Sequence, residues 1–291
     1  MNPMSTWFQI ARSLLAPSAS DCLICGQKTQ VSSEIPEVCK ICQTSIPWIR
    51  NPRCSKCGRH VGCPDCSRSS DPIPIICNRS AVAYTSVMRE VLGQYKYRGN
   101  ERLAPVLGLM LDRAYMVLQA ERGQPRGEGS RQNHSRLPAI KGKFKCISRA
   151  GLWQADLLVP VPVSNARLAE RGFNQAERLA DVLSRRRRIP QLPLLVRTRH
   201  TGKQSFKSRA DRLADMKHAF AVNPDPAIRA QFTHWLESAG RQIQSQPLQI
   251  IIIDDIYTTG STIRACAETI QLLIDSLGCT ADIYSLTWAR S

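Results

Sequence analysis

The sequence predicts an α/β protein, a mostly parallel sheet with helices on both faces, preceded by a small cysteine-rich region. Three observations predict it. From about Ser80 onward, short apolar runs alternate with stretches of helical periodicity, the pattern of strands and helices exchanged along a parallel sheet. The apolar run from Leu248 to Asp254 leads through a Thr- and Gly-rich stretch into Ile263, Ala267, Ile270, Ile274 and Leu277, spaced as on one face of a helix. Finally, eight of the twelve cysteines fall between Cys22 and Cys66 in four Cys-x-x-Cys pairs. A chain of 291 residues has length for a mid-sized domain and a small one, assigned here to residues 80–291 and 1–75.

The cysteine pairs are Cys22/Cys25, Cys39/Cys42, Cys54/Cys57 and Cys63/Cys66. Two intervening residues let both sulfurs face one ion, and two such knuckles complete the tetrahedral thiolate shell that Zn2+ prefers. Gly26 and Gly58 follow the second cysteine of their pairs, where the knuckle turn favours positive φ. The spacing therefore predicts a zinc-ribbon region holding about two structural zinc ions, neither shell needing a histidine or a water. Joining consecutive knuckles spans 13 residues in the first case and five in the second. Five is short for a ribbon hairpin, so an interleaved pairing stands beside the consecutive one. Disulfides are the competing chemistry, disfavoured by regular Cys-x-x-Cys spacing in a cytosolic chain. Cys77, Cys146, Cys266 and Cys279 are scattered and read as small buried residues.

Within residues 80–291 the predicted strands are Asp156 to Val161, Leu192 to Val196, Leu248 to Asp254 and Ala281 to Thr287. The third is followed by Asp254-Asp255-Ile256-Tyr257-Thr258-Thr259-Gly260-Ser261-Thr262 and then by the predicted helix. Loop N–H groups and hydroxyls, followed by a helix N-terminus, offer donors and a positive dipole end to a phosphate. Gly260 permits close approach, and Asp254 and Asp255 at the strand end can accept hydrogen bonds from two adjacent ribose hydroxyls. At the carboxyl end of a strand, where open α/β sheets bind ligands, this combination points to a phosphorylated sugar. An N-capped helix after a buried strand is the purely structural alternative.

Lysine plus arginine outnumber aspartate plus glutamate by 40 to 23, a formal charge of +17. Residues 121–150 hold eight basic residues against two acidic ones in a stretch rich in Gly, Ser, Gln and Asn, and Arg185 to Arg188 form a second basic run. Such fields attract phosphate-bearing partners, nucleic acid among them, although a solvated tail and helix end have the same composition. Aromatic residues make up 6% and do not interleave with the basic runs, so no single-strand stacking platform is evident. Apolar runs such as Leu157 to Val163 fall short of the roughly 18 to 20 residues that span a bilayer. The mildly apolar stretch Trp7, Phe8, Ile10, Leu14 and Leu15 contains Arg12 and has no basic leader before it. Neither membrane insertion nor a secretory signal is expected, and the chain reads as cytoplasmic.

The segment Ile252 to Thr262 resembles the motif that binds 5-phosphoribosyl-1-pyrophosphate (PRPP) in type I phosphoribosyltransferases. The likeness narrows to the ComF family through Asp156-Leu157-Leu158-Val159-Pro160-Val161-Pro162-Val163-Ser164, Arg167 and Glu170-Arg171-Gly172-Phe173-Asn174-Gln175-Ala176. Gln94-Tyr95-Lys96-Tyr97-Arg98-Gly99 is similar to that family's Lys-containing segment. Arg197, Thr201, Gln204, Arg212 and Ala219-Phe220 resemble its loop before the PRPP motif, and the paired knuckles its N-terminal region. Residues 121–150 and about 223–246 fall outside the likeness and read as insertions, and Asp215 stands where members often carry Asn.

The resemblance implies a type I phosphoribosyltransferase-like fold in which Asp254 and Asp255 hold the ribose hydroxyls and Thr258, Thr259, Gly260, Ser261 and Thr262 cradle the 5-phosphate. A pyrophosphate leaving group needs cations, so Lys96, Arg171 and Arg197, together with Mg2+, are candidates to face it, with surface charges as the alternative; the polar, basic segment Thr198 to Arg212 reads as a lid or as a solvent loop. Purine-salvage relatives commonly carry Asp at the position of Thr258, so hypoxanthine and guanine are disfavoured as acceptors of glycosyl transfer. The implied function is a phosphoribosyltransferase with an unidentified acceptor, connected with DNA uptake in natural transformation. The implied partners are single-stranded DNA and proteins of the uptake machinery. The alternative is a PRPP-responsive accessory protein without turnover that contacts nucleic acid or another protein.

Overall fold

The computed structural model describes residues 20–29, 34–68, 74–123, 153–198, 219–243 and 246–291. Among them the N-terminal part runs β1 (Ser20–Asp21), β2 (Lys28–Thr29), α1 (Lys40–Thr44) and α2 (Pro64–Arg68). It continues through β3 (Asn78–Ala83), α3 (Ser86–Tyr97), α4 (Leu103–Arg122), β4 (Leu157–Pro160), α5 (Asn165–Arg171) and α6 (Gln175–Arg187). The remainder is β5 (Leu195–Arg197), β6 (Phe220–Val222), α7 (Pro226–Ile243), β7 (Leu248–Tyr257), α8 (Ser261–Ser276) and β8 (Ala281–Arg290). Strands β3, β8, β7 and β4 form one sheet in that spatial order with every neighbouring pair parallel, which bears out the predicted class.

A parallel strand covered on both faces has no polar side to present, hence the unbroken apolar runs. Ile250, Ile251, Ile252 and Ile253 are all fully buried, each contributing about 1.5–3 kcal/mol of transfer free energy. On one face Ile251, Leu286 and Trp288 pack with Tyr95 of α3, Leu107 and Leu111 of α4 and Leu179 of α6. On the other, Ile250 and Ile252 pack with Ile263 and Ile270 of α8, Phe220 of β6 and Phe232 of α7. Among the described residues one helix, α4, is long and apolar enough to cross a membrane by length and composition, but 61% of that window is buried inside the protein.

Several expectations are corrected. The strand expected at Leu192 to Val196 is reduced to Leu195–Arg197, paired antiparallel with Phe220–Val222 outside the main sheet. Pro190 and Pro193 bring no N–H to a ladder, so before Leu195 only a single parallel bridge forms, between Gln191 and Leu158 of β4. Strands β7 and β8 each run three residues farther than predicted, because Tyr257 remains in register with Arg290. Leu277 is the C-cap of α8 and is 48% exposed, because the left-handed Gly278 ends the helix before that residue reaches the buried face. The segment at about 223–246, which reads as an insertion, includes α7, and Phe232 of that helix belongs to the core.

Part of the expected basic field is used internally. Glu121 and Arg122 belong to α4, and Glu121 Oε2 lies 2.5 Å from Nη2 of the buried Arg79. Within the second basic run, Arg186 and Arg187 pair with the buried Asp112 at 3.2 and 2.5 Å. Of the four late cysteines, Cys77 and Cys266 are buried and Cys279 is half-buried. Trp7 to Leu15, Cys146, most of 121–150, and Thr201, Gln204, Arg212 and Asp215 lie outside the described residues.

Candidate functional site

The cysteines resolve into two consecutive clusters. Cys22, Cys25, Cys39 and Cys42 bring their sulfurs within 4.8 Å of one another, and Cys54, Cys57, Cys63 and Cys66 do the same. The Cys25–Cys39 and Cys57–Cys63 Sγ separations are 3.9 and 3.4 Å. A disulfide requires about 2.05 Å, whereas ligands about 2.3 Å from a tetrahedral zinc lie about 3.8 Å apart. The described cysteines are free thiols. The short five-residue span is accommodated because Gly58 turns left-handed and α2 begins directly after Cys63, returning Cys66 to the cluster. Gly58 also presses the knuckle onto β3, where a Cβ would come within 2.5 Å of the Asn78 carbonyl oxygen.

The electrostatics fit a bound cation. Cys22 Sγ accepts the Cys39 N–H at 3.3 Å, Cys39 Sγ that of Cys42 at 3.3 Å and Cys54 Sγ that of Cys57 at 3.5 Å. Burial pushes the Cys22 thiol up, but the N–H bonds it accepts outweigh burial and bring it down to about 7. Burial, reinforced by the neighbouring sulfurs, pushes Cys42 and Cys66 well above the ordinary thiol range. Four crowded sulfurs cannot all ionise without a dication, and closed four-thiolate shells are structural zinc sites.

At the carboxyl end of β7 the two acids part company. Successive strand residues face opposite sides of a sheet. Asp255 meets α3, its Oδ2 2.7 Å from Lys96 Nζ, with side chains 11% and 15% exposed. Asp254 has Arg197 and Cys266 in its field, and its Oδ1 accepts the Asp255 N–H at 2.8 Å. Burial, then the Asp255 charge, push the Asp254 carboxyl up to about 7 against the pull of Lys96, the Asp255 amide and Arg197. After Tyr257 come the exposed Thr258, the half-buried Thr259 and Gly260 at φ 81°. Gly260, which has no side chain, is the N-cap of α8, so the N-cap residue offers the helix's first amides no side-chain acceptor. Thr259 and Ser261 hydroxyls lie 3.2 Å apart. A Cβ at Gly260 would come within 2.2 Å of the Tyr257 hydroxyl.

The remaining predicted cations take distinct places. Arg197 lies over the Phe220 ring at 5.4 Å, and burial with the nearby Arg167 lowers its pKa. Arg171 ends α5, donates from Nη1 to Gln175 Oε1 at 2.8 Å and lies 5.4 Å from the Tyr97 ring centre. Its buried Nε finds no acceptor among the described residues. The structure thus brings Asp254, Asp255, Lys96 and Arg197 together at the end of β7, beside the loop, and sets Arg171 against Tyr97, the residue after Lys96.

Much of the segment Arg171 to Gln175 proves architectural. Gly172 closes α5 in the left-handed region, Phe173 packs in the core with its ring tilted and 5.2 Å from that of Tyr95, and Asn174 caps α6. Gln175 holds Arg171, while its carbonyl accepts the Tyr95 hydroxyl at 3.0 Å. Sequence reasoning misses Gln175, Tyr95 and Tyr257 as positioning groups, although all three stand inside the motifs it singles out. It also misses Arg290, which no motif contains.

No family model matches the chain. It is 28% identical over 264 residues to competence protein ComFC of Bacillus subtilis, covering 88% of this chain and 85% of that protein. It is 24% identical over 270 residues to DNA utilization protein YhgH of Shigella flexneri, covering 87% and 97%. A 119-residue stretch, 40% of this chain and 45% of the relative, is 30% identical to competence protein F of Haemophilus influenzae. These relatives bear out the ComF resemblance, and the two four-cysteine clusters fit a double zinc ribbon.

Proposed function

With kinship to ComFC-type proteins as the premise, we propose that this chain binds Mg2+-PRPP at the β7–α8 loop and acts as a phosphoribosyltransferase in DNA uptake or use, its acceptor unidentified. One observation carries the reading: a central parallel strand carries Asp254 and Asp255 near its carboxyl end, then leads through left-handed Gly260 into a helix whose N-cap residue has no side chain. Asp254 and Asp255 accept hydrogen bonds from the ribose hydroxyls. Amides and hydroxyls of Thr258, Thr259, Gly260, Ser261 and Thr262 receive the 5-phosphate at the positive end of α8. Mg2+ supplies charge to the pyrophosphate oxygens. In this reading Lys96, Arg171 and Arg197 serve the pyrophosphate, with Lys96 also holding Asp255 in place. As the glycosidic bond breaks, positive charge grows on the sugar and negative charge on the leaving group, and such prearranged groups stabilise both. Thr258 cannot act as a carboxylate base, so hypoxanthine and guanine fit poorly as acceptors.

A second reading, a PRPP-responsive accessory protein without turnover, is favoured by the relatives' names, which speak of competence and DNA utilization. The formal charge of +17 suits single-stranded DNA or uptake proteins as partners. Under both readings the protein works in the cytoplasm, with residues 1–75 and 80–291 as its two domains. Isothermal titration with PRPP and Mg2+, followed by a pyrophosphate-release screen over bases and nucleic acids, tests both. Binding with release supports the transferase, binding without release the accessory protein, and no binding refutes both.

A further inference from the structure

Arg290, the last residue of β8, is 3% exposed and joins the second cysteine cluster to the candidate phosphate loop. Its Nε donates to the Cys57 carbonyl oxygen at 3.2 Å and its Nη2 to Cys57 Sγ at 3.2 Å. Its Nη1 donates to the carbonyl oxygens of Tyr257 at 3.1 Å and Thr258 at 2.9 Å, and to the main-chain oxygen of Ser291. The guanidinium also lies over the Tyr257 ring, 4.8 Å from its centre. Tyr257 in turn fills the space against which Gly260 turns. One rigid, permanently charged plane therefore fixes a cluster ligand, the carbonyls that open the loop and the ring beneath its glycine.

A thiolate held by zinc accepts a charge-assisted bond from a guanidinium, and such outer contacts orient the ligand as well as the donor. A neutral thiol is a weak acceptor, so loss of the ion removes one of the fixed points of Arg290. We propose that Arg290 is a positioning residue through which zinc in the Cys54/Cys57/Cys63/Cys66 cluster sets the geometry of the Tyr257–Thr262 loop, so that zinc loading and PRPP binding are linked. The ligand half of this inference rests on the PRPP reading. Linkage is reciprocal: whatever factor zinc contributes to PRPP affinity, PRPP contributes to zinc affinity. Cys22 and Cys39 of the first cluster belong to the core that also holds Val38 and Leu92 and are not hydrogen-bond partners of Arg290, so the proposal links only the second zinc.

The test uses the zinc-loaded full chain, with Arg290→Met, Arg290→Lys and, as a control for loss of an arginine, Arg113→Met, which removes a guanidinium 4.3 Å from the Trp48 ring centre. Zinc transfer to a chromogenic chelator is followed with and without Mg2+-PRPP, alongside PRPP titration and hydrogen exchange. In the parent chain PRPP should slow release of one zinc about fivefold or more and leave the other unchanged. Arg290→Met should abolish that protection, weaken PRPP binding and speed exchange at residues 57–63 and 258–264 together. Arg290→Lys should fall between, and Arg113→Met should match the parent. Unchanged release protection and affinity in Arg290→Met would overturn the proposal while leaving the PRPP reading intact. If the parent binds no PRPP, that reading fails and exchange in the ligand-free chain decides the structural half. Cys63→Ser, which removes a ligand of the second cluster, should then speed exchange at 258–264, and unchanged exchange there overturns the link. The same comparison decides the case if Arg290→Met does not fold.

Discussion

Removing Asp255 and removing Asp254 should act oppositely on the ligand-free protein while both weaken PRPP binding. Asp255 holds Lys96 at 2.7 Å, with side chains 11% and 15% exposed. Asp255→Ala leaves a nearly buried ammonium without its carboxylate; breaking a buried pair costs about 3–5 kcal/mol, and residual solvent contact brings this to on the order of 2–3 kcal/mol. In a protein of this size that lowers Tm by roughly 5–10 °C. Lys96→Met in the same background should recover most of it. Asp254 has the other sign. Its carboxyl is pushed up to about 7, so between the ordinary carboxylate range and that value the folded state binds more protons than the unfolded one. Stability therefore falls as pH rises through this window, and the full cost is present above it. By linkage that cost is on the order of 4 kcal/mol, about half once partial solvation is counted. Asp254→Asn keeps the acceptor for the Asp255 amide and should gain about 2 kcal/mol near pH 8 and little near pH 4. PRPP affinity should fall roughly ten- to a hundredfold in both variants. In the parent, affinity should rise as pH passes through about 7, a step absent from Asp254→Asn and so separable from titration of the ligand's phosphate. Thermal melts and titration calorimetry across this pH range check all of it. Reduced stability with unchanged PRPP affinity in both variants would refute the ribose-binding role.

Gly260→Ala should reduce PRPP affinity and cost about 1–3 kcal/mol, because φ is 81° and the new Cβ would meet the Tyr257 hydroxyl at 2.2 Å; wild-type affinity in that variant would remove the loop from the site. Metal analysis of the purified chain should give about two zinc ions, falling to about one in Cys22→Ser with a lower Tm, and no zinc with oxidised cysteines would defeat this. Weak single-stranded DNA binding should decline steeply with salt. Excising residues 124–150, which carry seven basic residues and one acidic one, should weaken that binding and flatten its salt dependence. The fold should survive, since a Cβ on Gly123 would lie 3.8 Å from the Trp153 amide and Gln119 already holds the Trp153 carbonyl at 2.8 Å. Absence of binding at low salt would strike nucleic acid from the partners.

What is legible in this sequence is whatever finds its partner within a turn, a loop or a single strand. The apolar runs of β4, β7 and β8 announce themselves because both faces of a parallel sheet are dry, and the phosphate-type loop does so because the pattern that would hold an anion is one of consecutive amides and hydroxyls. Strand β3 stays hidden for the converse reason. Its Asn78, Arg79 and Ser80 read as polar surface yet are 0%, 4% and 3% exposed. They are satisfied by the Cys57 carbonyl, Glu121 and Thr287, partners that no local window contains. The same distinction divides the site. Asp254 and Asp255 are visible as a pair, but their division of labour is not: it follows from strand alternation together with the arrival of Lys96 on one side and Arg197 on the other. The segment Arg171 to Gln175 signals a family and invites a catalytic reading, whereas most of its residues end a helix, fill the core and cap the next helix, leaving Arg171 as the charge they position. Arg290 lies at the far end of this scale. A lone arginine closing an apolar strand carries no pattern, and its importance comes from meeting Cys57, 233 residues earlier in the chain, and the Tyr257 and Thr258 carbonyls in one plane. The chemistry of the candidate site is therefore written locally, while the contacts that hold it in shape are written in the packing of the knuckle against the sheet.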